Sequence, residues 1–142
     1  MDLRQVVEQS HGALDKFAQG EGQAFKSLCS HRNDITLANP FGPVARGWTQ
    51  VGEALDYASS RFRDGTVTRI ETIAAYETAD LATILEIEYW KARVGGGEQV
   101  EPFVLRVTTT FRREDDDWKI VHRHADPLAT FDPNGPVRQT LR

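Results

Sequence analysis

Apolar positions at the start of the chain recur at helical spacing. Leu3, Val6, Val7, Leu14 and Phe17 fall on one face, Asp2 is available as N-cap, and Gly20 and Gly22 end the segment near residue 19. A shorter helical segment follows, with Phe25, Leu28 and Cys29 on its apolar side. The character then changes: residues 34–38 form a short strand candidate, closed by Asn39-Pro40-Phe41-Gly42-Pro43, which must turn. Gly47 ends that loop. Thr49 can cap a third helix carrying Val51, Leu55, Ala58 and Phe62, which Asp64-Gly65 terminates.

From residue 66 onward the period shortens towards two. Residues 66–77 alternate loosely, Thr78-Ala79-Asp80 makes a tight turn, and 81–94 read as a long strand. After Gly95-Gly96-Gly97 a strand spans 103–113, and Glu114-Asp115-Asp116-Asp117 turns into a last strand over 118–126. Links this short force antiparallel neighbours, since a parallel return needs a crossover of a dozen or more residues. Helices first and a meander afterwards predict an α+β fold, with three N-terminal helices packed on a strongly curved antiparallel sheet. Such a sheet, covered on one side, encloses a conical pocket at its open end. The tail over 127–142, with three prolines, is expected to wrap or to be mobile.

Composition narrows the classes. A chain of 142 residues with 39% hydrophobic and 27% charged positions fits one globular domain, 1–142. A net charge of −4 argues against nucleic acid or an anionic membrane as partner. The single cysteine, Cys29, cannot make an internal disulfide, and Met1 to Gln5 show no apolar signal segment, so a cytoplasmic location is expected.

The last strand concentrates the candidate chemistry. Strict alternation puts Trp118, Ile120, His122, His124 and Asp126 on one side and Val121, Arg123 and Ala125 on the other. Turn length decides which residues of the preceding strand join that row. A two- or four-residue loop pairs Thr109 with His122 and Val107 with His124, whereas a three-residue loop with a bulge brings Arg106, Thr108 and Thr110 to the histidine face. On the long strand, Ile84, Glu86, Glu88 and Trp90 share one side and Leu85, Ile87 and Tyr89 the other; the more polar set is the expected lining.

The element order, together with Asp34-Ile35-Thr36-Leu37-Ala38-Asn39-Pro40-Phe41-Gly42 before Arg46-Gly47-Trp48, resembles the SnoaL-like polyketide cyclases and ketosteroid isomerases. Leu105 to Thr108, Phe111 to Asp115 and Trp118 to Asp126 are similar to the last two strands of those proteins, whose cone-shaped fold is also that of nuclear-transport-factor-like proteins. One departure is Asp116, where such hairpins often carry glycine. The resemblance favours the bulged register. It implies a pocket at the wide end of the cone and, commonly, a homodimer through the sheet; it speaks to fold far more than to reaction.

The chemistry read from these residues is general acid/base work, without a cofactor, on a small hydrophobic carbonyl compound. His124 would move the proton, Asp34 would orient it or act as base, His122 would assist, and Arg106 would offset developing negative charge. Thr108, Glu88, Trp90, Phe41 and Asp126 complete the expected ligand site. Each has a plainer reading: histidines as hydrogen-bonded wall residues, Arg106 in an ion pair, Asp34 in a turn, the aromatics as packing. His122-x-His124 could in principle share a metal, but a third ligand at recognisable spacing is lacking, and no metal is expected. Three functions follow: a cofactor-independent isomerase, cyclase or lyase; a non-catalytic ligand-binding domain; or a dimeric interaction module using Leu85, Ile87 and Tyr89.

Overall fold

Asp2 caps the first helix, α1 (Leu3–Ala18), in a reciprocal capping box with Gln5, so two otherwise orphaned N–H groups find acceptors. In the computed structural model, which describes residues 1–40 and 42–128, α1 buries Val6, Leu14, Phe17 and Ala18. Each large apolar side chain so buried contributes on the order of 2 kcal/mol. Helix α2 (Gln23–Leu28) is short and contributes Phe25 and Leu28. Helix α3 (Trp48–Ser60) starts two residues earlier than the Thr49 cap predicted, because Gly47, at φ 83°, forms the cap instead.

The strands are β1 (Thr36–Ala38), β2 (Ala45–Arg46), β3 (Phe62–Glu77), β4 (Leu81–Val94), β5 (Glu101–Glu114) and β6 (Asp117–Pro127). They form one sheet in the order β2-β1-β6-β5-β4-β3. The expectation of an antiparallel sheet holds for β3 to β6 and needs one correction: β1 lies parallel to β6, with Thr36 opposite His122 and Ala38 opposite His124. Almost the whole domain separates those two strands, which supplies the long connection parallel pairing requires. All three helices cover the same, inner face of the sheet, and their buried side chains meet Trp90, Val107, Phe111 and Ile120 there.

Strand β3 begins at Phe62, four residues before the expected start. Asp64 (φ 57°) and Gly65 do not stop a helix; they mark a register shift between Arg63 and Thr66 that bends a continuous strand. Gly65 is needed for close approach: a Cβ there would stand 2.5 Å from the Ala92 Cβ and 2.7 Å from the Ala18 carbonyl oxygen.

The β5–β6 hairpin closes through two residues, Asp115 and Asp116, at φ 51° and 67°. Positive φ at both central positions is the type I′ geometry that matches strand twist. The bulge lies further along, inside β6. Phe111 pairs with Ile120, but Thr110 pairs with His122, so Val121 is an extra residue. Ile120 is tied on its other side by the Ser30 N–H, which donates to its carbonyl at 2.8 Å.

That inserted residue resets the parity of the strand. Before it, Trp118 and Ile120 point into the core; after it, Arg123 and Ala125 do, and all four are buried. The single row expected from Trp118 to Asp126 is therefore split. Arg106, Thr108 and Thr110 do stand opposite Asp126, His124 and His122, as the bulged register predicts, but on the outer face of the sheet.

Candidate functional site

The inner face and the helices enclose a cavity of about 340 Å³. Its walls are Leu14 and Phe17 from α1, Phe25 from α2, Leu55 and Ala58 from α3, and Leu37, Phe62, Trp90, Phe103, Leu105 and Ala125 from the sheet. Exposed lining residues, among them Pro40, Val94, Glu101, Pro102 and Pro127, mark the mouth. An aromatic cluster stiffens one wall: Trp90 stacks on Phe103 with centroids 5.6 Å apart and meets Phe17 edge-on at 6.5 Å.

Among the described residues, Arg123 is the one cation lining this space. It reaches across β5 to Glu88 on β4, with both terminal nitrogens donating to the two carboxylate oxygens at 2.8 Å. Trp90 Nε1 donates to Glu88 at 3.0 Å, and the guanidinium lies 5.7 Å from the centre of the Phe25 ring. Glu88 is 1% exposed and Arg123 8%. Burial alone would push the Glu88 carboxyl up; the guanidinium beside it, with the bonds from Arg123 and Trp90, holds it below the ordinary range. Two of the five N–H groups a guanidinium carries engage Glu88.

The charge row continues away from the cavity. Glu86, also buried, accepts from Thr72 Oγ1 at 3.2 Å and meets His11 Nε2 at 2.9 Å. The bond to Glu86 raises the His11 imidazole above its ordinary value despite partial burial. Cys29, at the end of α2, is a core group whose thiol burial pushes up to about 12.

The sequence-predicted residues divide. Trp90 lines the cavity, and Glu88 lies behind Arg123. His122 and His124 do not line it; they sit on the outer face with their rings 6.4 Å apart. His122 Nδ1 shares a 2.7 Å hydrogen bond with the Thr36 hydroxyl, and partial burial, then the neighbouring His124, hold its titration below the ordinary value. His124 is 53% exposed and meets Asp126 at 2.9 Å. Arg106 is exposed and Thr108 half-buried on that same face. Asp34 is bound by the Arg112 guanidinium at 2.7 and 3.0 Å, which holds its carboxyl below the usual range and ties the 30–34 loop to β5. Phe41 lies outside the described residues.

The inner polar residues that the alternation argument passed over are Arg123 and His11. A signal for the first was present: an arginine between Val121 and Ala125 shares the parity of small apolar residues. Equally, Glu86 and Glu88 interrupt the run Ala82, Ile84, Trp90, Ala92, whose ends are apolar. Two carboxylates on a buried face demand a cation from elsewhere in the chain.

Among the described residues no helix is long and apolar enough to cross a membrane. No curated protein matches the chain in sequence. Solved structures do match in shape. One is a nuclear transport factor 2 (NTF2-like) superfamily protein from Salmonella enterica serovar Typhimurium, 18% identical, covering 92% of this chain and 91% of that one, with a TM-score of 0.75. Another is a ketosteroid isomerase-like protein from Erwinia carotovora atroseptica, 14% identical, covering 90% and 95%, with a TM-score of 0.74. A third is a proposed dehydratase of the NTF2-like family from Streptomyces avermitilis, 18% identical, covering 90% and 94%, with a TM-score of 0.66. At these identities the likeness speaks to the fold. The helix-covered, open mixed sheet with its inward cavity is what they share, and the SnoaL-like domain model matches residues 3–129, so the chain belongs to the SnoaL-like family.

Proposed function

We propose that this protein binds a compact hydrophobic carbonyl compound in the inner cavity, with Arg123 as its polar anchor. The observation that carries the reading is the pairing of an aromatic and aliphatic enclosure of about 340 Å³ with one guanidinium whose position is set by a buried carboxylate. The enclosure sorts ligands by size and apolar surface, and the unused N–H groups of Arg123 orient one acceptor oxygen. The same donors would stabilise negative charge developing on that oxygen in an enolisation, isomerisation or elimination. The ketosteroid isomerase-like and dehydratase descriptions of similarly folded proteins are consistent with such chemistry. Binding is the primary reading, because no histidine lines the cavity among the described residues, and no step on a bound ligand is assigned to His122, His124 or Asp34.

On the outer face, half-buried Leu85, Ile87 and Tyr89 with exposed Ile73 and Tyr76 form an apolar surface suited to a second copy of the chain. Calorimetric titration with 2-acetylnaphthalene, a neutral aromatic ketone that fits the cavity, tests the pocket. Ala58→Leu combined with Ala125→Leu, both on the cavity wall, is expected to abolish binding, and Arg123→Met to weaken it about tenfold. Unchanged affinity in the leucine pair, with the protein folded by circular dichroism, would place the ligand elsewhere and defeat the reading.

A further inference from the structure

We infer that Glu88 sets the charge preference of the cavity: by neutralising Arg123 it makes the site select neutral acceptor-bearing molecules and reject the carboxylates an arginine would otherwise attract. The inference rests on the cavity being the ligand site, and deepens it. An unpaired guanidinium in an apolar enclosure is a carboxylate trap, since the planar fork matches two carboxylate oxygens. Here that fork is already filled from behind, with both terminal nitrogens of Arg123 donating to Glu88 at 2.8 Å. Trp90 Nε1 fixes the same carboxylate at 3.0 Å, so Glu88 cannot swing aside without stranding an indole donor.

The remaining charges reinforce the preference. Glu86 adds a second carboxylate on the inner face of β4, answered by His11 at 2.9 Å and by the Thr72 hydroxyl. Glu101 is the other charged residue among those lining the cavity, at its exposed mouth, and it is acidic. A ligand carboxylate would therefore enter a space where Arg123 is compensated and the other neighbouring charges include two more carboxylates. It would bury its charge without a counter-ion, which is strongly unfavourable. A ketone, aldehyde, ester or lactone needs a donor and brings no charge, and the free N–H groups of Arg123 supply that donor.

The test compares 2-acetylnaphthalene with 2-naphthoate, molecules alike in shape and size that differ in a methyl group against a charged oxygen. Calorimetry at about pH 8 keeps the carboxylate ionised. The wild-type protein is expected to bind the ketone at least about tenfold more tightly than the carboxylate. Glu88→Gln, which keeps the shape and an acceptor for Trp90 while removing the charge, is expected to reduce or invert that ratio by about tenfold or more. Glu86→Gln, more distant, should shift it in the same direction by less, and provides the charge variant should Glu88→Gln fail to fold. Wild-type protein that binds the carboxylate as tightly as the ketone would overturn this inference and leave the cavity reading intact. A ratio unmoved in both folded variants would also overturn it. Failure to bind either molecule would defeat the cavity reading itself.

Discussion

Removing the Glu88 carboxylate leaves Arg123 as an uncompensated charge beside the cavity. In Glu88→Ala the Arg123 guanidinium, whose side chain is 10% exposed, keeps its charge and loses both 2.8 Å acceptors. Breaking a buried ion pair by deleting one partner costs about 3–5 kcal/mol. Because Arg123 lines the cavity and its side chain keeps 10% exposure, the expected cost is about 3 kcal/mol, the lower end of that range. The Trp90 Nε1 donor, also stranded, adds about 1 kcal/mol. The total of about 4 kcal/mol corresponds to a fall in melting temperature on the order of 12 °C for a domain of this size.

The complementary variant tells attraction from mere burial. Glu88→Leu with Arg123→Met replaces the pair by apolar groups of similar length and removes both desolvation penalties together. It is expected to lie within about 1.5 kcal/mol of wild type. Urea unfolding of wild type, Glu88→Leu, Arg123→Met and the double variant, followed by fluorescence with equal slopes, gives the double-mutant cycle. A coupling energy of about 2 kcal/mol or more is expected. A coupling below about 0.5 kcal/mol would refute the reasoning, since it would mean that Glu88 and Arg123 are each solvated well enough to act independently.

Other outcomes follow from features elsewhere. His11 carries a value raised above 6.5 by its bond to Glu86, so its stabilisation is fully present below about pH 6.5 and fades as pH rises through the raised value. The stability difference between wild type and His11→Gln should accordingly be larger at about pH 6 than at about pH 9, and a flat difference would dismiss the contact. Asp116, at φ 67°, occupies a conformation that glycine adopts freely, so Asp116→Gly should raise stability by about 1 kcal/mol in urea unfolding. A second copy on the outer face predicts a dimer at micromolar concentration by light scattering, with Ile73→Lys and Tyr76→Lys together giving a monomer; a monomeric wild type would end that proposal.

The architecture was legible because periodicity and link length are local properties. Apolar spacing marked α1, α2 and α3, and the short turns at 78–80 and 114–117 forced the meander. The parallel pairing of β1 with β6 was not legible, since it joins segments with almost the whole domain between them. Start sites shifted wherever glycine served geometry instead of stopping an element, as at Gly47 and Gly65. The cavity wall on β4 could be read from Glu86, Glu88 and Trp90 sharing a side, but the facing of β6 could not. Alternation carries a residue's side forward only while the ladder is regular, and an extra residue such as Val121 has no compositional signature: it is one more β-branched residue in a β-branched run. The histidine row drew attention because imidazoles are rare and reactive, whereas the arginine beside them looked like ordinary solvent-facing charge.

Val121 thus behaves as a spacer whose bulged position outside the ladder, and not its chemistry, chooses the occupant of the inner wall. With it, the strand offers the cavity a permanent cation. Were Val121 instead to take a regular rung opposite Thr110, the ladder beyond it would slip by one, turning His122 and His124 inward and Arg123 out to solvent. One sequence therefore encodes two pocket walls separated by a one-residue slip of register, one charged at every physiological pH and one that carries imidazoles. In proteins built on this sheet, gain or loss of one bulge in the last strand can exchange an anchoring site for a proton-transfer site in one step, without any substitution at the positions that face the ligand.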